Sequence, residues 1–224
     1  MAASPRRVGA ETSKTRDTLL ECVEQMMLDE GYASVSYRAL ATKAGVTPSL
    51  VQYYFPSLDD IFIAAIRRYS ERNLAYLTKT LGERSEDPLR ALWEVSRHEA
   101  TGALMTEFMA LGNHRKNIRA EIAAVTESVR KIHVDALIAK YGKGARLGGD
   151  LSLPALQWLI SSLPKFLSLE EGIGVTTAHA EVTAAFERYL DSMEPPISPR
   201  KRKPVPRKRR TPGGARSAPQ RPDH

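Results

Sequence analysis

The chain has 224 residues, 42% of them apolar, more than one small domain needs to bury a core, and a formal net charge of +7. Cys22 is the only cysteine, which excludes internal disulfides and cysteine-based zinc clusters; with a polar N-terminal stretch that lacks the apolar core of a secretory signal, a cytoplasmic location is expected. The longest apolar stretch, residues 151–167, falls short of the roughly 20 residues a membrane span needs and is broken by Pro154, Gln157, Pro164 and Lys165, so it reads as a buried helix and no membrane partner is expected.

Residues 1–12 carry Arg6 and Arg7 without an apolar pattern and are expected to form a flexible arm. From there to residue 193 apolar residues recur at helical spacing, with no convincing strand-like alternation, which predicts an all-α fold. A first helix is expected over residues 13–29, where Leu19, Leu20, Val23, Met26 and Met27 recur at three- and four-residue intervals. Gly31 supplies a left-handed stop, with Tyr32 placed to fold back on the last turn. Ser36 caps a second helix over residues 37–44, whose inward residues are Leu40, Ala41 and Ala44. Gly45 ends it. Thr47 caps a third helix, with Pro48 in the first turn, where a missing N–H costs nothing, and Leu50, Val51 and Tyr54 facing inward. Ser57 and Asp60 form a capping box that opens a fourth helix to about residue 80. Further helices are expected over residues 88–99, 102–112, 115–141, 153–169 and 176–193, with breaks at Gly142, at Gly148-Gly149 and at Gly172 and Gly174.

Residues 36–55, SYRALATKAGVTPSLVQYYF, carry the functional signal. Two short helices meet at Ala44-Gly45-Val46, where glycine takes the positive φ of a sharp reversal and Val46 plugs the angle. Such a turn lifts the second helix clear of the body, so that it can enter a DNA major groove. Its outer face offers Pro48, Ser49, Gln52 and Tyr53. Glutamine can read adenine through two hydrogen bonds, and the helix start at Thr47 attracts phosphate. Arg38, at the start of the preceding helix, is placed to reach a phosphate or a guanine. The predicted DNA-contacting set is therefore Arg38, Thr47, Pro48, Ser49, Gln52 and Tyr53.

Over residues 13–73 this stretch resembles the DNA-binding domain of the tetracycline-repressor (TetR) family. Gly31-Tyr32, Leu40-Ala41, Ala44-Gly45-Val46, Val51, Tyr54-Phe55 and Ser57 stand at matching places. Two positions depart from the usual pattern. Gln52 stands where a phosphate-contacting tyrosine is usual, and Leu58 where a lysine is common, so phosphate anchoring falls to Tyr53, Thr47 and Arg38, with the N-terminal arm as a further candidate. The resemblance implies a dimeric, ligand-responsive repressor that binds an inverted-repeat, double-stranded operator. It further implies that residues 74–193 form a helical effector-binding and dimerisation domain.

Within that region the helix over 153–169 is apolar nearly all round, as suits a helix covered both by its own domain and by a second subunit. The candidate homodimer residues are Leu156, Leu159, Ile160, Leu163, Phe166, Val182, Phe186 and Tyr189. Candidates for an effector pocket are Trp93, His98, Met105, Phe108, His114 and Trp158, since small-molecule pockets are largely apolar with a few polar anchors. The effector is a small molecule of unspecified identity, and no cofactor is expected. The histidines are too scattered for a metal site, and Gly142 to Gly149 (GKGARLGG) lacks the phosphate-loop pattern. His98-Glu99 and His179/Glu181 are too close in sequence to share a helix face, so no catalytic residue and no enzyme is expected.

The positive charge is concentrated at the end. Residues 1–60 hold six basic and eight acidic residues, 61–194 hold seventeen of each, and 195–224 hold ten basic residues against Asp223. With eight prolines from residue 195 onward, residues 194–224 are expected to be disordered. An alternative function follows: a non-specific, architectural nucleic-acid binder acting mainly through this tail.

Overall fold

The computed structural model describes residues 5–100 and 103–194, and side chains over residues 14–98 and 104–194. The element order is α1 (Pro5–Glu30), a 3-10 turn (Tyr32–Ser34), α2 (Tyr37–Ala44), α3 (Pro48–Tyr54), α4 (Leu58–Glu83), α5 (Pro88–Ala100) and α6 (Ala103–His114). There follow α7 (Lys116–Tyr141), a hairpin of β1 (Arg146–Leu147) and β2 (Leu151–Ser152), α8 (Leu153–Gly172) and α9 (His179–Met193). No helix among the described residues is long and apolar enough to cross a membrane.

The predicted stripe of α1 is buried throughout, with Leu19 and Val23 at 0% exposure. It packs with Leu40, Ala41, Val51, Phe55, Ile61, Phe62 and Ala65 into one cluster that also takes in Leu104, Phe108 and Leu111 of α6 and Ile118 of α7. A second cluster gathers Leu77, Leu89, Leu92, Trp93, Val95, Leu137, Leu153, Leu156, Ile160 and Leu190. The ends of α4 lie in different clusters, so this helix is the shaft joining them. Residue 73, the expected domain boundary, falls within α4 rather than at a break.

Four expectations are corrected. α1 starts at Pro5, so residues 5–12 of the expected arm are helical; residues 1–4 lie outside the described residues, as does the tail from residue 195. Leu50 is only half-buried, whereas Val51 and Phe55 fill the space beneath α3. A hairpin interrupts the all-helical body, pairing Arg146 with Ser152 and Leu147 with Leu151. Each strand has two residues, too few for alternation to register. Its turn works because Gly148 has φ +56 and a Cβ there would lie 1.7 Å from the Tyr189 hydroxyl. Finally, Glu194, assigned to the tail, is 5% exposed and belongs to the body.

Gly45 has φ 67 and ψ 33, the left-handed conformation that a tight helix–helix turn demands. An added Cβ meets nothing within 4 Å, so Gly45→Ala introduces backbone strain alone. We expect a loss of about 1–2 kcal/mol in urea unfolding, with Gly45→Asn recovering part of it, since asparagine tolerates this region better. Equal stability of the alanine variant and the wild type would show that the turn does not hold this geometry.

Candidate nucleic-acid interface

The geometry of α2 and α3 is set by local hydrogen bonds. The Ser36 hydroxyl accepts from the Ala39 N–H at 3.2 Å, and the Thr47 hydroxyl accepts from the Leu50 N–H at 3.3 Å. Between the helices the Val46 N–H donates to the Ala41 carbonyl at 2.9 Å, closing the turn around Gly45. The Tyr37 hydroxyl donates to the Phe55 carbonyl at 3.1 Å, tying the start of α2 to the end of α3. Burial, with Asp60 nearby, raises the pKa of that hydroxyl and keeps it a donor. The capping box is formed: the Asp60 carboxylate accepts from the Ser57 N–H at 2.9 Å, and the Ser57 hydroxyl accepts from the Asp60 N–H at 3.1 Å.

Because Val51 is the fully buried anchor of α3, the opposite side of that helix must face outward. Arg38, Thr47, Pro48, Ser49, Gln52 and Tyr53 are all exposed, and Tyr53 is 75% exposed, with its ring edge-on to Tyr54 at 5.3 Å between centroids. Besides accepting the capping bond, the Thr47 hydroxyl shares a 3.1 Å hydrogen bond with the Ser49 hydroxyl, in which either can donate.

The head is fastened to the body at three points. The Glu107 carboxylate of α6 accepts from the Tyr32 N–H at 2.8 Å, just past the end of α1. Arg115 pairs with Asp59 at 2.5 Å and lies over the Phe62 ring, 5.4 Å from its centroid. Arg67 of α4 holds Glu121 of α7 through two bonds of 2.7 and 2.8 Å, which lower the Glu121 pKa. Sequence reasoning missed Glu107 and Glu121, because nothing local marks a surface glutamate as the partner of a residue more than fifty positions away.

Residues 19–65, which hold this turn and both its helices, match the family described as "Bacterial regulatory proteins, tetR family". These residues form a TetR-family DNA-binding domain. It is 26% identical over 152 residues to the HTH-type transcriptional regulator BetI of Rhizobium meliloti, a match spanning 67% of this chain and 69% of the relative. It is 26% identical over 168 residues to the HTH-type transcriptional repressor BepR of Brucella suis, spanning 72% and 79%. Its fold resembles that of a Saccharomonospora viridis protein solved in complex with choline, with a TM-score of 0.65 at 18% identity, covering 81% of this chain and 95% of the other. The protein is thus a DNA-binding transcriptional regulator of the TetR family, with the helix-turn-helix at α2 and α3.

The predicted effector residues do not converge in this TetR-family chain. Phe108 is buried and Met105 partly buried in the cluster shared with the head; Trp93 is buried in the other cluster. His98, His114 and Trp158 are exposed, and His98 stacks on Tyr76 at 4.8 Å. The candidate dimer residues also divide. Leu156 and Ile160 are 0% and 1% exposed within their own subunit, so neither is available to a partner, and Leu163, Phe186 and Tyr189 are partly buried against the same core. Phe166 at 60% and Val182 at 38% are outward, with Leu159 partly so. A helix apolar all round does not disclose which face its own domain covers.

Between α7 and α8 lies a polar node that sequence reasoning passed over. Gln157, 2% exposed, donates its amide protons to His133 Nδ1 at 2.9 Å and to the Ser161 hydroxyl at 3.1 Å. Since Nδ1 accepts, the neutral ring carries its proton on Nε2, which finds no hydrogen-bond partner among the described residues. Burial, with Lys165 nearby, pushes the His133 pKa down to about 4. Gln157 also floors a surface groove of about 340 Å³ walled by Pro154, Trp158, Val134 and Arg130. No group of three or more potential metal ligands occurs among the described residues.

Two outcomes are expected. Gln52→Ala combined with Tyr53→Ala should weaken operator binding at least tenfold, since each good base contact is worth about 1–3 kcal/mol. Both side chains are exposed, so thermal stability should hold. A footprint of unchanged affinity would remove α3 from the reading role. His133 is neutral when folded and its unfolded pKa is higher, so the unfolded chain binds more protons in between. Its contribution is complete above about pH 6.5 and is lost as pH falls toward 4, about 3 kcal/mol in all. His133→Phe should flatten the stability-versus-pH curve in that window. A slope unchanged by the substitution would show that His133 is not held neutral.

Proposed function

We propose that this TetR-family regulator is a ligand-responsive repressor that binds an inverted-repeat operator as a homodimer. The dimer reading is carried by the apolar stripe that α8 leaves uncovered. Leu159, Phe166, Leu169 and Ile173 recur at helical spacing, and Phe166, Leu169 and Ile173 are 60%, 46% and 79% exposed. Val175 and Val182 extend the patch into the loop and α9 at 43% and 38% exposure. An exposed apolar surface of that continuity is the kind a second copy covers by two-fold symmetry. Of the eight residues expected there, Leu159, Phe166 and Val182 remain; Leu169, Ile173 and Val175 join them.

In this reading Gln52, Ser49 and Tyr53 face the major groove, while Thr47, Pro48 and Arg38 lie against phosphates and sugars. Repression follows if the bound site overlaps a promoter; the Brucella suis relative BepR is a transcriptional repressor. The effector approaches through the groove over Gln157, and the His133 node supplies its polar anchor. Its volume lies near the lower end for small-molecule sites, roughly 300–1,000 Å³. The choline bound by the Saccharomonospora viridis protein is not carried over, because likeness at 18% identity extends to the fold. An effector that changes the spacing of the heads weakens operator binding by a coupling energy of about 1–3 kcal/mol.

The test joins assembly to footprint. The protein should sediment as a dimer at micromolar concentration and protect a symmetric site whose half-site centres lie about 34–36 Å apart, or a multiple of one turn. Phe166→Glu with Ile173→Glu should yield a folded monomer and reduce operator affinity more than tenfold. A wild-type monomer, or a footprint without a repeat, would overturn the proposal.

A further inference from the structure

The polar partners of Gln157 leave one of its atoms over. The Ser161 hydroxyl has a single proton, which it donates to the Trp158 carbonyl at 3.3 Å. Its oxygen can therefore only accept from Gln157, at 3.1 Å, so the group that faces it is the amide NH2. The same NH2 meets His133 Nδ1 at 2.9 Å. Both amide protons are then used, and the side-chain carbonyl Oε1 receives no hydrogen bond among the described residues. Gln157 is 2% exposed and floors the groove of about 340 Å³, so Oε1 is the atom it has left to offer there. A carbonyl so placed meets a ligand's N–H in a setting drier than open water, where the bond is stronger.

The walls restrict the rest of the ligand. Pro154 and Trp158 stand four residues apart on α8, hence on one face, and Val134 faces them from α7. Trp158 is 51% exposed, so much of its ring is open to a flat partner. The charges at the rim cancel on α7 itself, where Arg130 pairs with Glu127 at 3.6 Å and Lys131 with Asp135 at 2.6 Å. An anion would have to draw a cation away from its own carboxylate. An organic cation fares no better, since both carboxylates are paired and Lys165 adds positive charge near His133.

We propose that the groove over Gln157 takes an uncharged, planar aromatic molecule that lies against Trp158 and donates a hydrogen bond to Gln157 Oε1. Apolar walls around one fixed polar group are the usual build of a small-molecule site. The proposal rests on the effector reading above only for its consequence at the operator; binding itself needs no DNA.

The test uses the full-length chain and four probes near neutral pH. They are indole, 1-methylindole, which lacks the N–H, the anion indole-3-carboxylate and the cation tryptamine. In calorimetry indole should bind tightest, with 1-methylindole at least about fivefold weaker for want of one hydrogen bond. Both ions should also bind more weakly than indole. Trp158→Ala should weaken indole and 1-methylindole alike, and Gln157→Leu should bring the two to equal affinity. If Gln157→Leu does not fold, the wild-type ranking and Trp158→Ala decide. The chain has two tryptophans, and in nitrogen-15 spectra indole should shift the side-chain N–H signal that Trp158→Ala removes. Equal binding of indole and 1-methylindole by the wild type, tighter binding of either ion, or a shift confined to Trp93 overturns the proposal. Failure of all four probes to bind overturns it too, without touching the effector reading. If indole binds as described but does not release a duplex selected by the protein from a random pool, the effector reading fails for this class and the present one stands.

Discussion

Phe108 and Leu111 of α6 are fully buried among residues of α1, α2, α3 and α4, and the placing of the reading helix depends on that packing. A three-helix head of this size buries little apolar surface by itself. Here the body enlarges that core, with Leu104, Phe108 and Leu111 of α6 and Ile118 of α7 joining the cluster that holds Val51 and Phe55. Close-packed interiors transmit displacement rather than absorb it. α6 packs on α1, so the body is in direct contact with the head's own core.

The polar contacts at this seam add direction to the apolar ones. Glu107 receives the Tyr32 N–H, a donor left unpaired at the first residue of the 3-10 turn, so the body completes a helix start that the head leaves open. Arg115 grips Asp59 in the first turn of α4. Arg68 and Arg72 in turn fasten α4 to Glu21 and Glu24 of α1 at 2.7 and 2.8 Å. The exposed members of these pairs contribute little stability. Their geometry fixes register, and register is what a helix must keep if its side chains are to meet base edges.

What the sequence disclosed follows from the range over which each determinant acts. Ser36, Thr47, Ser57 and Asp60 cap helices through contacts three residues away, and Gly45 turns the chain through its own φ; these were legible, and so were the elements they bound. The outward set on α3 could be named because a helix only two turns long has one inward face once Val51 is placed. The effector candidates were chosen as aromatic or polarisable residues in helices, and nothing in their spacing says that Phe108 is packed beneath the head while His98 lies on the surface. The Gln157–His133–Ser161 node was illegible for a related reason. His133 and Gln157 lie on different helices, and each alone reads as a surface residue.

α8 brings the remaining questions together. Leu156, Ile160 and Pro164 turn inward, while Phe166, Leu169 and Ile173 stay uncovered. Gln157 stands between these faces, bonded to His133 of α7 and flooring the groove. On the proposed reading, a ligand there would touch the same helix that a second subunit would cover, and α7 also reaches the head through Ile118 and Glu121. In that proposal ligand, partner and operator would be linked through two helices in contact, with no long relay required. Two rigid elements that share a buried hydrogen bond cannot be reoriented separately. The energy of leaving Gln157 or His133 unpaired, about 1–3 kcal/mol, is of the order of the coupling that a regulator of this kind needs.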